Sequence, residues 1–159
     1  PETLVLIRQG DDKAVSKLLK DMNSGSVGAV IMAGVNPVYT LPNASAFVEG
    51  LKKTVLSVCF SMKNDETASK TQYVGAAPHY LESWGDLEAK SGFYGLMQPT
   101  IRPLFDTQQF QEALLVLNGT ATNYHDYLKS FWESNVLSGE TWNQALHDGV
   151  HKGGPLATL

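Results

Sequence analysis

The sequence is poor in cysteine, and this scarcity removes several kinds of site at once. Cys59 is the single cysteine among 159 residues. An internal disulfide needs two cysteines, and multi-cysteine zinc or iron–sulfur sites need several, so the chain by itself is expected to hold none of them. Because Cys59 lies inside the apolar run TVLSVCF, we predict a small buried side chain rather than a nucleophile.

An excess of positive charge and a long apolar run are also missing. Twelve basic residues face sixteen acidic ones, for a net charge of -4. Without a basic stripe, nucleic acid is a poor candidate for a partner. No apolar run approaches the length of a membrane-spanning helix, so we predict no direct membrane span. The chain begins at Pro1 rather than Met, and we expect it to be a soluble piece of a longer protein.

What the sequence does contain is a globular composition and, in its first half, an alternation of strands and helices. Hydrophobic residues make up 43% of the chain and charged residues 18%, which fits one sizeable core. Apolar runs without alternation indicate strands buried on both faces, as in a parallel sheet with right-handed crossovers. We predict an α/β, Rossmann-like three-layer domain with a mainly parallel sheet. Its strands fall at residues 3–8, 27–34, 54–60 and 72–77, and its helices at about 14–22 and 43–53.

The second half is predicted to contain a long irregular segment and a helical extension. Residues 78–106 are rich in Gly, Pro and aromatic residues, so we expect no regular elements there and a functional or packing role. Helices are predicted with Phe110, Leu114 and Leu117 on one face, with an aromatic core stripe from Tyr124 to Trp132, and with a cap at Ser138. The predicted domains are therefore 1–106, a packed extension at 107–150, and a linker or artificial end at 151–159.

The stretch GAVIMAGVNPVYTLPN, residues 28–43, carries the main candidate for a binding site. Ligands of open α/β sheets bind at the carboxyl ends of the strands. Gly34 permits close approach to the backbone, Asn36 offers both a donor and an acceptor, and Pro37 stiffens the exit. Taken alone, such a turn is structural more often than ligand-binding, and no glycine-rich dinucleotide fingerprint accompanies it.

Two further motifs follow this turn along the chain. In order, the three motifs are Gly34-Val35-Asn36-Pro37, Glu66-Thr67-Ala68 and Glu82-Ser83-Trp84-Gly85. Their order and spacing resemble the third domain of the molybdopterin oxidoreductase superfamily, which includes formate dehydrogenase and dimethyl sulfoxide reductase. In catalytic members this domain holds the guanosine end of a pterin dinucleotide. Two departures stand out: Ser61 occupies the position near which family members often carry an acidic residue, and Thr71-Gln72-Tyr73 replaces an Ala-Asp pair.

Longer stretches carry a closer resemblance, over nearly the whole chain. They are AGVNPVYTLPNA, PHYLESWGD followed by QPTIRPLFDT, and YHDYLKSFWES. These stretches resemble the iron–sulfur, molybdoenzyme-like subunits of alternative complex III, a quinol:electron acceptor oxidoreductase. The resemblance implies a scaffold without its own molybdenum cofactor, iron–sulfur clusters elsewhere in the parent, and respiratory subunits as partners. It also implies a periplasmic, membrane-associated parent. The alternative is a catalytic molybdopterin oxidoreductase whose dinucleotide is held here.

The same residues are candidates for the nucleotide site under both interpretations. The site is vestigial in a scaffold and functional in a catalytic oxidoreductase. We predict no catalytic residue and no metal ligand. His79, Glu82 and Asp86 could form an acid–base group but are better explained as loop capping residues. His147 and His151 have a ligand-like spacing, yet Gly149 lies between them and no third ligand is evident. The candidate nucleotide-site residues are Gly34, Val35, Asn36, Pro37, Glu66 and Thr67.

Overall fold

The computed structural model describes residues 10–154, which form two compact units. The first unit consists of Gly10–Pro78 and Phe105–Phe110. The second consists of His79–Leu104 and residues 111–154. The strand predicted at residues 3–8 lies outside the described residues, as does the end of the predicted linker.

The first unit contains a three-stranded sheet in the order β1-β2-β3, with both pairs of neighbours parallel. Ala33 at the end of β1 pairs with Phe60, and Ser61 at the end of β2 pairs with Ala76, so the three carboxyl ends share one edge. The predicted parallel α/β fold is confirmed. The elements are α1 (Asp12–Ser24), β1 (Ala29–Ala33), α2 (Pro37–Thr40), α3 (Ala44–Lys53), β2 (Leu56–Ser61), a 310 helix (Ala68–Lys70) and β3 (Tyr73–Ala76).

Local capping explains where the helices of the first unit begin and end. The Asp11 carboxylate accepts hydrogen bonds from the backbone N–H groups of Lys13 and Ala14, and α1 ends at Gly25, whose φ of 77° suits glycine. The side chain of Asn43 caps α3 in the same way by accepting from Ala46 N. These caps lie where the sequence predicts them, because they depend on neighbours within three residues.

One core holds α1 and α3 against the sheet. Cys59 is fully buried there, and this burial raises the pKa of its thiol, which confirms the prediction of a small hydrophobic side chain. The helices approach closely at Gly50, where an added Cβ would lie 2.8 Å from Met22 Cβ. The buried core residues are Met22, Val30, Met32, Phe47, Leu51, Cys59 and Ala68.

The second unit contains an antiparallel sheet in the order β4-β5-β6. Two predictions need correction: residues 78–106 contain two of its strands, and the predicted linker begins inside its third. The sequence did not reveal β6 because it pairs with β5 more than fifty residues away, and such pairing leaves no local pattern. The hairpin of β4 and β5 is local, but its strands are short and contain glycine, and a register shift between Glu88 and Lys90 interrupts their alternation. The elements are β4 (Gly85–Lys90), β5 (Phe93–Met97), α4 (Phe110–Leu117), α5 (Tyr124–Asn135), α6 (Trp142–Asp148) and β6 (Val150–Lys152).

Helices pack on one face of this sheet around Trp132, which is fully buried. The predicted apolar face of α4 is wrong, because Leu115 is its buried residue whereas Leu114 and Leu117 are exposed. The cap of α6 is Thr141 rather than Ser138. The predicted aromatic core stripe of α5 is confirmed in part, because Tyr124 and Trp132 are buried and Phe131 partly so, whereas Tyr127 is 46% exposed. The buried residues of this core are Tyr94, Leu96, Leu115, Tyr124, Leu128, Trp132, Val136, Trp142 and Ala145.

Within residues 10–154, none of the helices combines the length and the apolar character that crossing a membrane requires.

Candidate functional site

The loops that follow β1 and β2 are joined by hydrogen bonds at the carboxyl edge of the parallel sheet. Asn36 Nδ2 donates to Glu66 Oε2 at 2.7 Å. Thr67 Oγ1 donates to Asn36 Oδ1, also at 2.7 Å. We call these three residues the Asn36 latch. The structure therefore brings together candidate residues that are thirty positions apart in the sequence, and it places them at the edge where α/β sheets bind ligands.

Thr67 is the buried centre of the Asn36 latch. Its side chain has no exposed surface, and its hydroxyl oxygen also accepts a hydrogen bond from Val38 N at 3.0 Å. Asn36 is the N-cap residue of α2, yet its own side chain makes no capping bond to that helix. Thr67, which lies in another loop, therefore accepts the hydrogen bond from Val38 N that the side chain of the cap residue Asn36 does not accept.

The backbone donors of the first turn of α2 are also committed within the chain. Tyr39 N and Thr40 N both donate to Asn36 O, at 3.1 and 3.0 Å, and Pro37 has no N–H group. Gly34 N donates to Phe60 O at 3.3 Å. A helix N-terminus binds anions through free N–H groups, and these positions of α2 have none to offer.

The loop after β2 is organised by Asp65, a residue that the sequence analysis missed. Asp65 Oδ1 accepts from the backbone N–H groups of Thr67 and Ala68, at 3.1 and 2.9 Å. Ser61 Oγ donates to Asp65 Oδ2 at 3.1 Å. Ser61 thus stands where the superfamily often has an acid, and it supports the carboxylate that shapes the loop carrying Glu66. An Asp two or three residues before two backbone donors is a capping signal that the sequence does contain.

The second departure from the superfamily pattern also has a structural role. Gln72 N donates to Ser57 Oγ, and Ser57 N donates to Gln72 Oε1, both at 3.0 Å. Ser57 is almost fully buried at the start of β2. This reciprocal pair joins β2 to the residue before β3, so Gln72 stabilises the sheet at the edge opposite the Asn36 latch.

Glu66 is exposed, and its hydrogen bond from Asn36 lowers the pKa of its carboxyl below the ordinary value. A lowered pKa means that the folded state favours the ionised group, so this contribution to stability is present above the unfolded pKa and is lost as the pH falls through the folded pKa. Asn36→Ala should therefore raise the pKa of Glu66 towards its ordinary value. NMR titration of the Glu66 side-chain carbon measures this shift.

Asn64→Ala is the matched control, because Asn64 is an exposed amide in the same loop. We expect it to leave the Glu66 pKa unchanged. Equal titration of Glu66 in the unsubstituted chain and in Asn36→Ala would show that the Asn36 latch does not form in solution.

The residues considered as acid–base or metal-ligand candidates form hydrogen bonds that stabilise the fold. His79 and Glu82 form a capping box on the 310 helix Tyr80–Glu82, and Asp86 Oδ2 accepts from Trp132 Nε1 at 2.8 Å. His147 and His151 do not share a helix: His151 lies on β6, buried, with its Nδ1 2.7 Å from Glu140 Oε2. Over residues 10–154, no three His, Cys, Asp or Glu side chains are grouped so as to hold a metal ion.

The fold of this chain is also found as one part of a larger protein. A solved structure, acetylene hydratase from Pelobacter acetylenicus, matches it with a TM-score of 0.68 at 19% identity, over 88% of this chain and 21% of that one. This match shows the fold and no more.

A curated relative gives the more particular resemblance. The menaquinone reductase, molybdopterin-binding-like subunit of Nitratidesulfovibrio vulgaris is 34% identical over 112 residues, which are 64% of this chain and 16% of the relative. No family model matches the sequence. The chain therefore spans a small part of the relative it resembles, and the resemblance supports the predicted relation to the molybdopterin oxidoreductase superfamily.

The site residues can be compared with what a bound guanosine nucleotide would need. Phosphate oxygens accept hydrogen bonds, whereas ribose hydroxyl groups both donate and accept them. Asn36 Nδ2 donates one bond to Glu66, and Val38 N, Tyr39 N and Thr40 N have partners within the chain. Glu66 keeps an exposed carboxylate, which is an acceptor. A nucleotide bound at these described residues would therefore share or displace the hydrogen bonds of the Asn36 latch.

Proposed function

We propose that the chain is a scaffold domain in the molybdoenzyme-like subunit of a membrane-associated, quinone-linked respiratory oxidoreductase. It holds no cofactor of its own and catalyses nothing alone. Electrons pass through iron–sulfur clusters carried elsewhere in the parent, and other domains and subunits are its partners. The parent lies on the periplasmic side of a bacterial inner membrane, and a subunit of alternative complex III is the specific parent that the sequence motifs favour.

One observation carries the proposal: the Asn36 latch occupies the polar groups with which the G-x-N-P loop would hold a nucleotide. Both ends of the Asn36 carboxamide are hydrogen-bonded at 2.7 Å, to Glu66 and to Thr67. The amide keeps one further N–H and the oxygen one further lone pair, so a nucleotide can use only these remaining positions unless it displaces the Asn36 latch. The same bonds instead fix two loops of the sheet edge relative to each other, which serves a scaffold.

The decisive experiment measures cofactor content in the complete parent polypeptide. We expect molybdenum and released guanine nucleotide at far below one equivalent per polypeptide. Stoichiometric amounts of both would overturn the scaffold proposal.

The second candidate is a working dinucleotide-binding domain, which the ionised, exposed carboxylate of Glu66 favours. A carboxylate can accept hydrogen bonds from the N–H edge of guanine. Titration of the 159-residue chain with GMP, observed at the amide resonances of Gly34 and Asn36, tests it. The scaffold proposal expects no shift at millimolar nucleotide, whereas saturable shifts that Glu66→Gln removes would establish a binding loop.

A further inference from the structure

The antiparallel sheet of the second unit has one apolar face that no described element of that unit covers. The register pairs Gly85 with Met97, Leu87 with Gly95, and Lys90 with Phe93, and β6 continues the same face from the other side of β5. The opposite face carries Tyr94, Leu96 and His151 and holds the core. We call the first face the open face; it consists of Gly85, Leu87, Lys90, Phe93, Gly95, Met97, Val150 and Lys152.

Four large apolar side chains of the open face are exposed on the same surface. Leu87 is 52% exposed, Phe93 43%, Met97 38% and Val150 64%. The solvent face of an antiparallel sheet is normally polar, with apolar residues alternating to the inside. Four large apolar side chains side by side on this face therefore indicate a surface made for contact.

The shape of the open face indicates what kind of partner fits it. Gly95 lies at its centre between Leu87 and Val150, and an added Cβ there would meet only Leu87 O, at 3.9 Å. The unit itself thus has room for a side chain at this position, and the glycine leaves a depression in the face. A depression bounded by apolar side chains suits an inserted side chain from a partner.

The charges of the open face lie at one end and have one sign. A register shift between Glu88 and Lys90 moves Lys90 onto this face, opposite Phe93. Lys152 lies on the other side with its Nζ 5.6 Å from the Phe93 ring centroid. The eight residues of the face include no carboxylate, although the whole chain has a net charge of -4. A partner with a carboxylate at this end is complementary.

We propose that an amphipathic segment from another part of the parent polypeptide covers the open face, with apolar side chains over Gly95 and a carboxylate beside Lys90 and Lys152. This rests on the chain being one domain of a longer subunit, as proposed above. The chain spans only 16% of its curated relative and 21% of the matching solved structure, so proteins of this kind have much further chain available. The central depression favours an inserted protein side chain over a lipid surface, which contacts flat or protruding groups.

Zero-length carbodiimide cross-linking of the complete parent polypeptide, followed by mass spectrometry, tests the proposal. We expect Lys90 or Lys152 to be joined to an Asp or Glu of the same polypeptide outside residues 1–159. Gly95→Val should abolish these cross-links, because its side chain fills the depression. Gly28→Val is the matched control, since Gly28 is exposed with nothing within 4 Å of an added Cβ, and it should leave the cross-links intact.

The competing occupants give different results. Cross-links between two copies of the polypeptide, retention of the cross-links in Gly95→Val, or their absence while exposed Lys129 reacts would each overturn the proposal. Binding to phosphatidylglycerol vesicles that Gly95→Val removes would assign the face to lipid and would also overturn it. Cofactor content, measured on the same preparation, reports separately on the scaffold proposal, so either proposal can fail while the other stands.

Discussion

Trp132→Ala is expected to lower the free energy of unfolding of the second unit by about 3–5 kcal/mol, the usual cost of truncating a fully buried tryptophan. The side chain has no exposed surface and lies edge-on to the rings of Tyr94 and Trp142, with centroids 6.2 and 6.1 Å away. Its Nε1–H group also donates to Asp86 at 2.8 Å. Alanine removes the ring contacts and the hydrogen bond together and leaves a cavity at the centre of the core.

Urea unfolding followed by circular dichroism, with hydrogen exchange of individual amides, measures this loss. Exchange should increase most in β4, β5 and α5, which Trp132 joins. Trp132→Phe keeps an aromatic ring and should cost clearly less, about 1–2 kcal/mol. Leu117→Ala, at a side chain that is 74% exposed, should stay within about 0.5 kcal/mol. A similar loss for Trp132→Ala and Leu117→Ala would contradict the proposed core.

The second large effect is expected for Thr67→Val in the first unit, at about 2–4 kcal/mol. Valine has nearly the shape of threonine but no hydroxyl group. The change leaves Val38 N and Asn36 Oδ1 without the partners that now lie at 3.0 and 2.7 Å, and Thr67 itself is fully buried. Removing one partner leaves the other group to bear part of its desolvation penalty, because both bonds are part-buried, and here two groups are left.

Thr67→Ser separates the hydroxyl group from the methyl group. Serine keeps both hydrogen bonds, so we expect a loss of about 1 kcal/mol for the missing methyl alone. Amides of Val38 and Tyr39 should exchange faster in Thr67→Val than in Thr67→Ser, because the first turn of α2 loses its support. If Thr67→Val were as stable as the unsubstituted chain, the two hydrogen bonds of the Thr67 hydroxyl group would contribute nothing measurable.

The parallel sheet and its helices were largely predictable from sequence because their signals are local. The apolar run at 27–34 and the run at 54–60 differ from the periodic helix between them, and β1 and β2 are parallel as predicted. Asp11, Gly25 and Asn43 limit the helices through bonds to backbone groups at most four residues away. The prediction that both faces of these strands are buried is wrong for this structure, because Ile31 is 45% and Leu56 36% exposed while Val30, Met32 and Cys59 face the core.

The second unit was harder to predict for an equally physical reason. The hairpin of β4 and β5 is short and rich in glycine, and its third strand arrives from Val150–Lys152. Its stability comes from the helical core on one face rather than from strand propensity. The choice of Leu115 over Leu114 as the buried residue of α4 likewise depends on which neighbour the helix meets.

The candidate site shows the same division. The sequence placed Gly34, Asn36 and Glu66 at one sheet edge, because the carboxyl ends of parallel strands meet there. It could not show that Asn36 donates to Glu66 and accepts from Thr67. An Asn residue looks the same in a sequence whether or not its amide group is hydrogen-bonded within the chain. Only the folded structure shows which neighbours bond to it.

The sequence by itself determined the order of strands and helices in the first unit, their caps, the burial of Cys59 and the superfamily resemblance. Periodicity and capping act between residues a few positions apart, so they can be seen in the sequence. Only the tertiary structure shows that Asn36 is hydrogen-bonded to Glu66 and Thr67 of the same chain. It alone also shows that β4, β5 and β6 form a sheet with one apolar open face. These features depend on partners thirty to sixty residues apart, whose meeting results from the packing of the whole unit.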